Sequence, residues 1–254
     1  MLRQIKGNMQ AVEFLDWDSR FFGVKIGRIL LNSSTLEELS GALNWADLSG
    51  FRCLYWLIDC GDIMSCRTAE TNGFHLTDIR LTFEKELCAP RNMSSLDQAD
   101  VRRYQNHDLT TLLALARRSH RDSRFFSDNG FEEDKSARMY EEWIRRGLSH
   151  ESGVVWVAEQ NGQAVGYCVC QASEHQVGSI GLIAVDPGWR RARVGTALVS
   201  TALLHFENEG MRTATVVTQG RNIPSQRLYQ RCGFVTKAVQ LWYHRWAPKL
   251  GVTS

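Results

Sequence analysis

The stretch "WRRARVGTALV", Trp189–Val199, places three arginines directly before an apolar run that predicts the start of a helix. A helix N-terminus carries about half a positive charge and about four unpaired N–H groups, so added arginines are repelled unless an anion binds. Forked guanidinium donors together with backbone N–H groups suit a diphosphate. The stretch therefore predicts a site for a small anionic ligand, with a solvated basic helix start or a clamp on an RNA backbone as the alternatives.

The composition indicates a globular chain with one or two cores, because its 254 residues include 43% hydrophobic and 23% charged side chains. The 30 basic and 28 acidic residues give a net charge of +2, so the arginine cluster is local and we expect no nucleic-acid partner. Seven cysteines, an odd number without CxxC spacing, argue against a disulfide framework and against a zinc site. The seven histidines show no ligand spacing either, and we predict no metal.

The N-terminal stretch "MLRQIKGNMQAVEFLDW" lacks the apolar run of a signal peptide. No segment approaches the roughly 18 consecutive apolar residues of a membrane helix. We therefore expect a cytoplasmic protein without a membrane partner. Its oligomeric state stays open, with a homodimer as one alternative.

The C-terminal part of the chain alternates between strand and helix patterns. The segment "VVWVAEQNGQAVGYCVCQAS" contains two strands joined at Asn161-Gly162, a typical hairpin centre, and "VGSIGLIAVD" is a third strand. The helix after the arginines ends at Gly210, and the strand "TATVVTQ", the helix "IPSQRLYQRCG" and the strand "FVTKAVQLWYHRW" follow. Upstream, "LTTLLALARRSH" and "KSARMYEEWIRRGL" predict two helices. This order predicts an α/β (α+β) domain with a mixed sheet.

The N-terminal part repeats this pattern. The segments "CLYWLID", "IMSCRTAETNGF" and "HLTDIRLTFEKE" follow the order strand, helix, Gly-Phe and long strand that also ends the chain. Setting Gly73-Phe74 over Gly233-Phe234 aligns Ala69 with Tyr229. The repeat predicts a second half-domain, although any strand–helix–strand unit gives some of this similarity. We place the boundary in the loop-like stretch near residue 90, with residues 1–90 as the N-terminal half and residues 91–254 as the larger domain.

The segment "IAVDPGWRRARVGTALV", followed by "NIPSQRLYQRCGF", resembles the coenzyme-binding core of the GNAT N-acetyltransferases. The family signature Arg/Gln-x-x-Gly-x-Gly/Ala is matched by Arg190 to Gly195, except that Arg193 replaces the first glycine. The resemblance implies a GNAT acyltransferase fold, acetyl-CoA as the cosubstrate and a partial GNAT-like fold for residues 1–90. The coenzyme contacts that it implies are Ile183, Ala184, Val185, Arg190, Arg191, Ala192, Arg193, Val194, Gly195, Thr196, Asn222, Ser225 and Tyr229.

Amine acetylation needs a polarised thioester carbonyl, a proton for the departing thiolate and an unprotonated amine. In the strand "GLIAV", the N–H groups of Ile183 and Val185 point the same way and are candidates to hold the acetyl oxygen and the pantetheine arm, with ordinary ladder pairing as the alternative. The resemblance makes Tyr229 the general acid, whereas a tyrosine on an apolar helix face is otherwise a core residue. Asp78 is a candidate base, with a plain surface carboxylate as the alternative.

Further candidates flank these residues. By the resemblance Asn222 contacts the pantetheine arm, and Ser225 either caps the following helix or reaches the coenzyme. The acceptor is expected near the two upstream helices, where arginines would meet a diphosphate and phenylalanines would offer a face for a base or a sugar. These substrate candidates are Arg121, Arg124, Phe125, Phe21 and Phe22; the phenylalanines alternatively seal the interface between the halves.

A narrower resemblance concerns "FLDWDSRFFGVKIGRI", "SRFFSDNGFEEDKSARMYEEWI" and the C-terminal segment. They are similar to the acetyltransferases of nucleotide-linked deoxyamino sugars, of the dTDP-fucosamine type. This implies direct transfer from acetyl-CoA to the amino group of such a sugar in a ternary complex. The alternatives are a GNAT enzyme for another amine, such as a peptide N-terminus, a lysine or an antibiotic, and a non-catalytic acyl-CoA-binding module.

Overall fold

The computed structural model describes residues 11–31, 36–87, 100–173, 175–190 and 192–248. They form two compact units. Of the described residues, the first unit comprises those within 1–80, 124–135 and 239–254, and the second comprises those within 81–123 and 136–238. The strands are β1 (Val12–Phe14), β2 (Ile26–Ile29), β3 (Cys53–Asp59), β4 (His75–Glu86), β5 (Asp100–Arg103), β6 (Gly153–Gln160), β7 (Gln163–Ala172), β8 (Val177–Val185), β9 (Thr213–Gln219) and β10 (Val235–Trp246). The helices are α1 (Asp16–Phe22), α2 (Leu36–Leu48), α3 (Ile63–Thr71), α4 (Leu109–Arg118), α5 (Arg124–Ser127), α6 (Glu133–Ser149), α7 (Val194–Asn208) and α8 (Ile223–Arg231).

The first unit contains the strand order β1, β2, β3 and β10. Strands β2 and β3 are parallel, whereas β1 pairs with β2 and β10 pairs with β3 in the antiparallel direction. Helix α2 covers this sheet because Leu39 and Ala46 share a core with Trp56, Phe74 and Tyr243. The mixed pairing confirms the predicted α/β class for this part of the chain.

The second unit contains the strand order β9, β8, β7, β6 and β5. Its pairs are antiparallel except for β8 with β9, which is parallel. Alternation along β7 separates two faces, because Cys168 and Cys170 lie in a core with α7 and α8, whereas Val169 lies against Gly147 of α6. The sheet is therefore covered on both faces, as an α/β fold requires.

The predicted internal repeat has a close structural counterpart. Helix α2, strand β3, helix α3 and strand β4 each end 160 residues before α7, β9, α8 and β10 respectively. Asp62 caps α3 by accepting from the Ser65 N–H at 3.0 Å, and Asn222 caps α8 by accepting from the Ser225 N–H at 3.2 Å. The glycine after each helix has a positive φ, 79° and 85°. The two copies share local geometry even at their caps, while a GNAT-like fold for residues 1–90 stays a prediction.

The copies differ where the coenzyme contacts are predicted. Residues 30–35 connect β2 to α2, whereas residues 181–193 connect the end of the β8–β9 pairing to α7. The longer connection in the second copy contains the end of β8 and the arginine run. The first copy has Ala69 at the position that Tyr229 has in the second copy. A different tyrosine, Tyr243 of β10, lies in the same core as Ala69, and its hydroxyl donates to Glu70 at 3.0 Å. The first copy thus lacks the residues that the coenzyme prediction needs.

Close packing of α7 on β8 gives a stability test. A Cβ added at Gly178 would lie 2.3 Å from Cγ of Phe206, so Gly178→Ala forces α7 away from the sheet. We expect it to lower the free energy of unfolding by about 1–3 kcal/mol in denaturant titrations. Gly181→Ala on the same strand is the control, because its nearest atom lies at 3.8 Å. Equal stability of the two variants would contradict this packing.

Candidate active site

The parallel pairing of β8 with β9 is short. It runs from Val177 opposite Thr213 to Ile180 opposite Val216, although β8 continues to Val185 and β9 to Gln219. On the other side of β8, the register with β7 shifts by one residue between Val169 and Cys170, which leaves Gly181 as a bulge. A bulge bends its strand and increases the local twist. The two strands therefore part directly after Ile180.

The direction of the amides after this point follows from one hydrogen bond. The Asp186 N–H donates to the Val165 carbonyl of β7 at 2.8 Å. Successive amides of a strand point to opposite sides, so Ala184 also faces β7, whereas the N–H groups of Ile183 and Val185 face away from it. In this part of the chain no further pair joins β8 to β9, so the predicted alternative of ordinary ladder pairing does not hold for these two amides.

The arginine run lies at the start of α7. Arg190 is exposed, and Arg191 lies outside the described residues. Arg193 is the N-cap, with φ 59° and ψ 6° in the left-handed region that favours glycine. This explains why the family signature has a glycine there: the turn needs that backbone conformation, and an arginine adopts it at a cost of about 1 kcal/mol. The turn is formed despite the substitution.

The start of α7 provides backbone donors. Arg193 gives no side-chain cap, and its carbonyl accepts from the Ala197 N–H at 3.0 Å, which begins the helical hydrogen bonds. The N–H groups of Val194, Gly195 and Thr196 precede that bond, so they point out of the helix end, as anion sites require. A Cβ on Gly195 would lie 3.1 Å from the Leu228 side chain, so this glycine also permits close packing of α7 and α8.

Tyr229 lies on the buried face of α8. It is 2% exposed and contacts the rings of Phe83 and Phe234, and burial raises its pKa well above the ordinary value. A hydrogen bond from the Ser225 side chain opposes that rise. The helix cap is Asn222 and not Ser225, which supplies the N–H that the cap accepts. Asn222, Ser225 and Tyr229, spaced by three and four residues, thus lie along one face of α8 in the second unit.

The sequence alone did not indicate His120. It follows α4, has a φ of 57°, stacks on Tyr140 and lies 2.8 Å from the Tyr167 hydroxyl through Nε2. Tyr167 of β7 is directly opposite Ala184 of β8, and Arg118 forms an ion pair with Asp186 just after β8. These contacts hold the end of α4 against the unpaired end of β8. Burial lowers the His120 pKa to about 4, so its imidazole is neutral at pH 7.

Asp78 is 5% exposed, so the alternative of a plain surface carboxylate is wrong. Its Oδ1 accepts from the Ile79 N–H at 2.8 Å, and it belongs to the first unit. Two of the three phenylalanines that were predicted to contact the substrate are core residues. Phe22 and Phe125 are both buried, and their ring centroids are 5.6 Å apart in a stacked arrangement, whereas Phe21 is half-buried. Arg121 is exposed and belongs to the second unit.

Arg124 lies in an aromatic cluster of the first unit that the sequence did not reveal. Its guanidinium carbon is 4.4 Å from the ring centroid of Tyr55 and 4.2 Å from those of Phe125 and Trp242. Tyr55 and Trp242 are far from Arg124 and Phe125 in the sequence, and no local pattern marks them as neighbours. The structure thus brings Arg124 and Phe125 together with Phe22.

Two absences concern only the described residues. No helix among them is long and apolar enough to cross a bilayer. No group of three or more histidine, cysteine, aspartate or glutamate side chains in the same ranges is arranged to hold a metal ion.

Residues 111–234 match the model of the Acetyltransferase (GNAT) family. This range contains the separated strands β8 and β9, the arginine run and Tyr229. The part of the chain that carries the site geometry is therefore the part that is similar to the GNAT acetyltransferases.

Relatives with similar sequences are named for acetyl transfer or polysaccharide synthesis. The spore coat polysaccharide biosynthesis protein SpsD of Bacillus subtilis is 32% identical over 142 residues, 56% of this chain and 49% of that protein. An uncharacterized N-acetyltransferase of Methanocaldococcus jannaschii is 28% identical over 55% of this chain and 62% of its own length. A mycothiol acetyltransferase of Sanguibacter keddieii is 30% identical over 42% of this chain and 34% of its own length. The chain thus matches only part of each relative.

Solved structures share the fold at low identity. A GCN5-related N-acetyltransferase from Sphaerobacter thermophilus has a TM-score of 0.67 and 14% identity, covering 95% of this chain and 78% of that one. A tandem GNAT protein from the clavulanic acid biosynthesis pathway has a TM-score of 0.58 and 13% identity, covering 89% of this chain and 77% of that one. These likenesses confirm the predicted GNAT fold.

Arg193 allows backbone strain and side-chain charge to be separated. Arg193→Gly relieves the left-handed strain, and we expect the free energy of unfolding to rise by about 1 kcal/mol. Arg193→Ala is the matched control, because it loses the same guanidinium and keeps the strain. Denaturant titrations of both variants test the conformation. A lower stability for the glycine variant than for the alanine variant would contradict it.

Proposed function

We propose that this chain, whose residues 111–234 match the GNAT acetyltransferase family, is an acetyltransferase of that family and transfers the acetyl group of acetyl-CoA to the amino group of a nucleotide-linked deoxyamino sugar. The observation that carries the proposal is the unpaired end of β8. Its two outward amides, at Ile183 and Val185, lie on half-buried residues and have no ladder partner in β9, and backbone donors of this kind need one. The carbonyl oxygens of a thioester and of a pantetheine arm accept hydrogen bonds and would pair with these N–H groups.

The residues at the start of α7 fit the coenzyme diphosphate. An uncapped helix start, a left-handed turn at Arg193 and the arginine side chains supply backbone and charged donors in one place. Arg190, Arg191, Ala192, Arg193, Val194, Gly195 and Thr196 would bind the diphosphate, while Ile183, Ala184 and Val185 would hold the acetyl end. Asn222 would reach the pantetheine arm through the amide nitrogen that its capping bond leaves available.

Tyr229 has the protonation state of a general acid. Burial raises its pKa, so the phenol stays protonated throughout the neutral range and can give its proton to the thiolate as the C–S bond breaks. The carbonyl oxygen gains negative charge as the amine attacks, and the Ile183 and Val185 amides are aimed to stabilise that charge. Transfer is direct, within a ternary complex.

The proton that leaves the amine has two candidate acceptors. His120 is held at the end of β8 with a neutral imidazole, hydrogen-bonded to Tyr167. Asp78 is the alternative in the first unit, where its carboxylate is buried. We favour His120 because its contacts with β7 and the neighbouring Arg118–Asp186 ion pair fix its position at the unpaired strand end.

A sugar acceptor is supported by the similarity to SpsD, which is named for polysaccharide biosynthesis. Arg121, Arg124, Phe125, Phe21 and Phe22 remain the proposed acceptor residues. The similarity to a tandem GNAT protein supports the proposal that residues 1–90 are a degenerate GNAT-like half. The similarity to a mycothiol acetyltransferase supports acetyl transfer, and an amine other than that of a nucleotide-linked sugar remains the alternative acceptor.

An acetyl-CoA turnover assay tests the function directly. We expect free CoA to form with a nucleotide-linked amino sugar and not with polyamines, lysine peptides or aminoglycosides. If only a peptide or an antibiotic is acetylated, the proposed sugar acceptor is wrong and that amine is the substrate. Coenzyme that binds without turnover on any amine of the panel would favour the non-catalytic module.

Tyr229→Phe removes the proposed acid with little loss of volume. We expect kcat to fall by roughly 10²–10⁴-fold at unchanged acetyl-CoA affinity, because the lost interaction forms mainly in the transition state. Tyr243→Phe is the matched control: its phenol is equally buried, and its hydroxyl bonds Glu70 in the first unit. Weaker acetyl-CoA binding at a normal kcat in the Tyr229 variant would make the phenol a packing group.

A further inference from the structure

A buried tyrosine and a half-buried histidine form a pair in the second unit. Tyr167 of β7 is fully buried, and its hydroxyl lies 2.8 Å from Nε2 of His120. Ala184 of β8 is directly opposite Tyr167, and residues that pair in this way share a face of the sheet. Ala184 lies between Ile183 and Val185, whose amides are the proposed donors to the coenzyme. The pair is therefore placed beside the strand end at which the acetyl group would be held.

Two further features fix the imidazole ring. The ring of Tyr140 from α6 stacks on it, with centroids 4.6 Å apart and an angle of 13° between the planes. His120 itself has a φ of 57°, in the left-handed region that residues other than glycine seldom adopt. Strain of this kind persists only where the surrounding structure holds it, and it clusters at functional sites. The ring is thus held on its face by Tyr140 and at Nε2 by Tyr167.

The two nitrogens of the ring have different surroundings. Nε2 faces the hydroxyl of Tyr167, inside the unit. For Nδ1 the described part of the chain offers no hydrogen-bond partner, and the histidine as a whole is half-buried. Nδ1 is therefore the nitrogen that a substrate can reach.

Proton uptake by His120 determines what Tyr167 must do. An imidazole that takes a proton becomes a cation in which both nitrogens donate. Its Nε2–H then needs an acceptor inside the unit, and the Tyr167 oxygen is in place, because a hydroxyl accepts as well as donates. Burial disfavours the cation and lowers the His120 pKa to about 4. A hydrogen bond from Nε2 to Tyr167 offsets part of that cost when the proton arrives.

We propose that Tyr167 is a positioning residue, which holds a proton on Nε2 of His120 and so leaves Nδ1 to take the proton of the acceptor amine. This inference rests on the proposed function and names the atom that acts as the base. As the C–N bond forms, the N–H bond of the amine breaks and its proton goes to Nδ1, while Tyr229 protonates the sulfur of the breaking C–S bond. The imidazolium then gives its proton to water, and the Tyr229 phenolate takes one back.

Nitrogen NMR of the full chain with isotope-labelled histidine tests the tautomer without any substrate. At pH 7 we expect the His120 signals to show a protonated Nε2 and an unprotonated Nδ1. Tyr167→Phe removes the acceptor and keeps the ring, so the preference for this tautomer should weaken. A proton on Nδ1 in the wild type would mean that Tyr167 donates to Nε2, and it would overturn the proposal. An unchanged tautomer ratio in the variant would overturn it as well.

A double-mutant cycle separates positioning from packing. We expect Tyr167→Phe to lower kcat by about 10- to 100-fold at unchanged acetyl-CoA affinity, the effect of a buried N–H left without a partner. His120→Gln should lower kcat at least as much, because an amide can still contact Tyr167 but takes no proton. The double variant should be no slower than His120→Gln alone. Losses that multiply in the double variant would make Tyr167 a packing residue and overturn the proposal.

Tyr104→Phe is the matched control, because it removes a hydroxyl from a half-buried tyrosine of the same unit outside this pair. Its kcat and Tm should equal those of the wild type. An amine that is acetylated equally fast by the wild type and by Tyr167→Phe would overturn this inference and leave the acetyl transfer intact. The expected tautomer in a chain that acetylates no amine of the panel would support the pair and contradict the proposed function.

Discussion

The separation of β8 from β9 after Ile180 is the constraint on which the candidate site depends. Inside a sheet, a strand end whose amides have no ladder partner lacks hydrogen bonds that the rest of the sheet makes. Here the bulge at Gly181 bends β8, and the packing of Phe206 on Gly178 holds the paired part of the strand under α7. The Ile183 and Val185 amides are thus left for a ligand, and the start of α7 brings backbone donors and arginines to the same end of the unit.

The internal repeat shows how much local structure survives without this chemistry. Both copies keep a capped helix after the parallel strand pair, a positive-φ glycine behind the helix and a long final strand. The first copy has the short connection of residues 30–35 and Ala69 in place of the phenol, with Tyr243 in the same core. The caps and turns of the first copy therefore stabilise the fold and have no predicted role in coenzyme binding. Only the second copy retains the longer connection on which coenzyme binding would rest.

The sequence predicted well what local patterns determine. Alternation, the Asn-Gly hairpin and the glycine after each helix located the strands and helices of the second copy and β3, α3 and β4 of the first, and the spacing of the arginines from Gly195 and Tyr229 indicated the family. Helix α2 of the first copy was not predicted. The short helix α5 lies between the two predicted upstream helices, in a segment for which no helix was predicted. The sequence did not indicate the pairings that bring distant residues together, such as His120 with Tyr167, or Arg28 and Arg124 with Trp242. It also left open whether Asp78 is a surface carboxylate, because burial depends on the neighbouring elements.

Hydrogen exchange at single amides of β8 tests the central claim most directly. The account predicts that Ile183 and Val185 exchange fast in the free protein and become protected when acetyl-CoA binds. The amide of Ala184, which faces β7, should exchange slowly in both states and serves as the internal control. Slow exchange of Ile183 and Val185 without acetyl-CoA, or no added protection with it, would contradict the account.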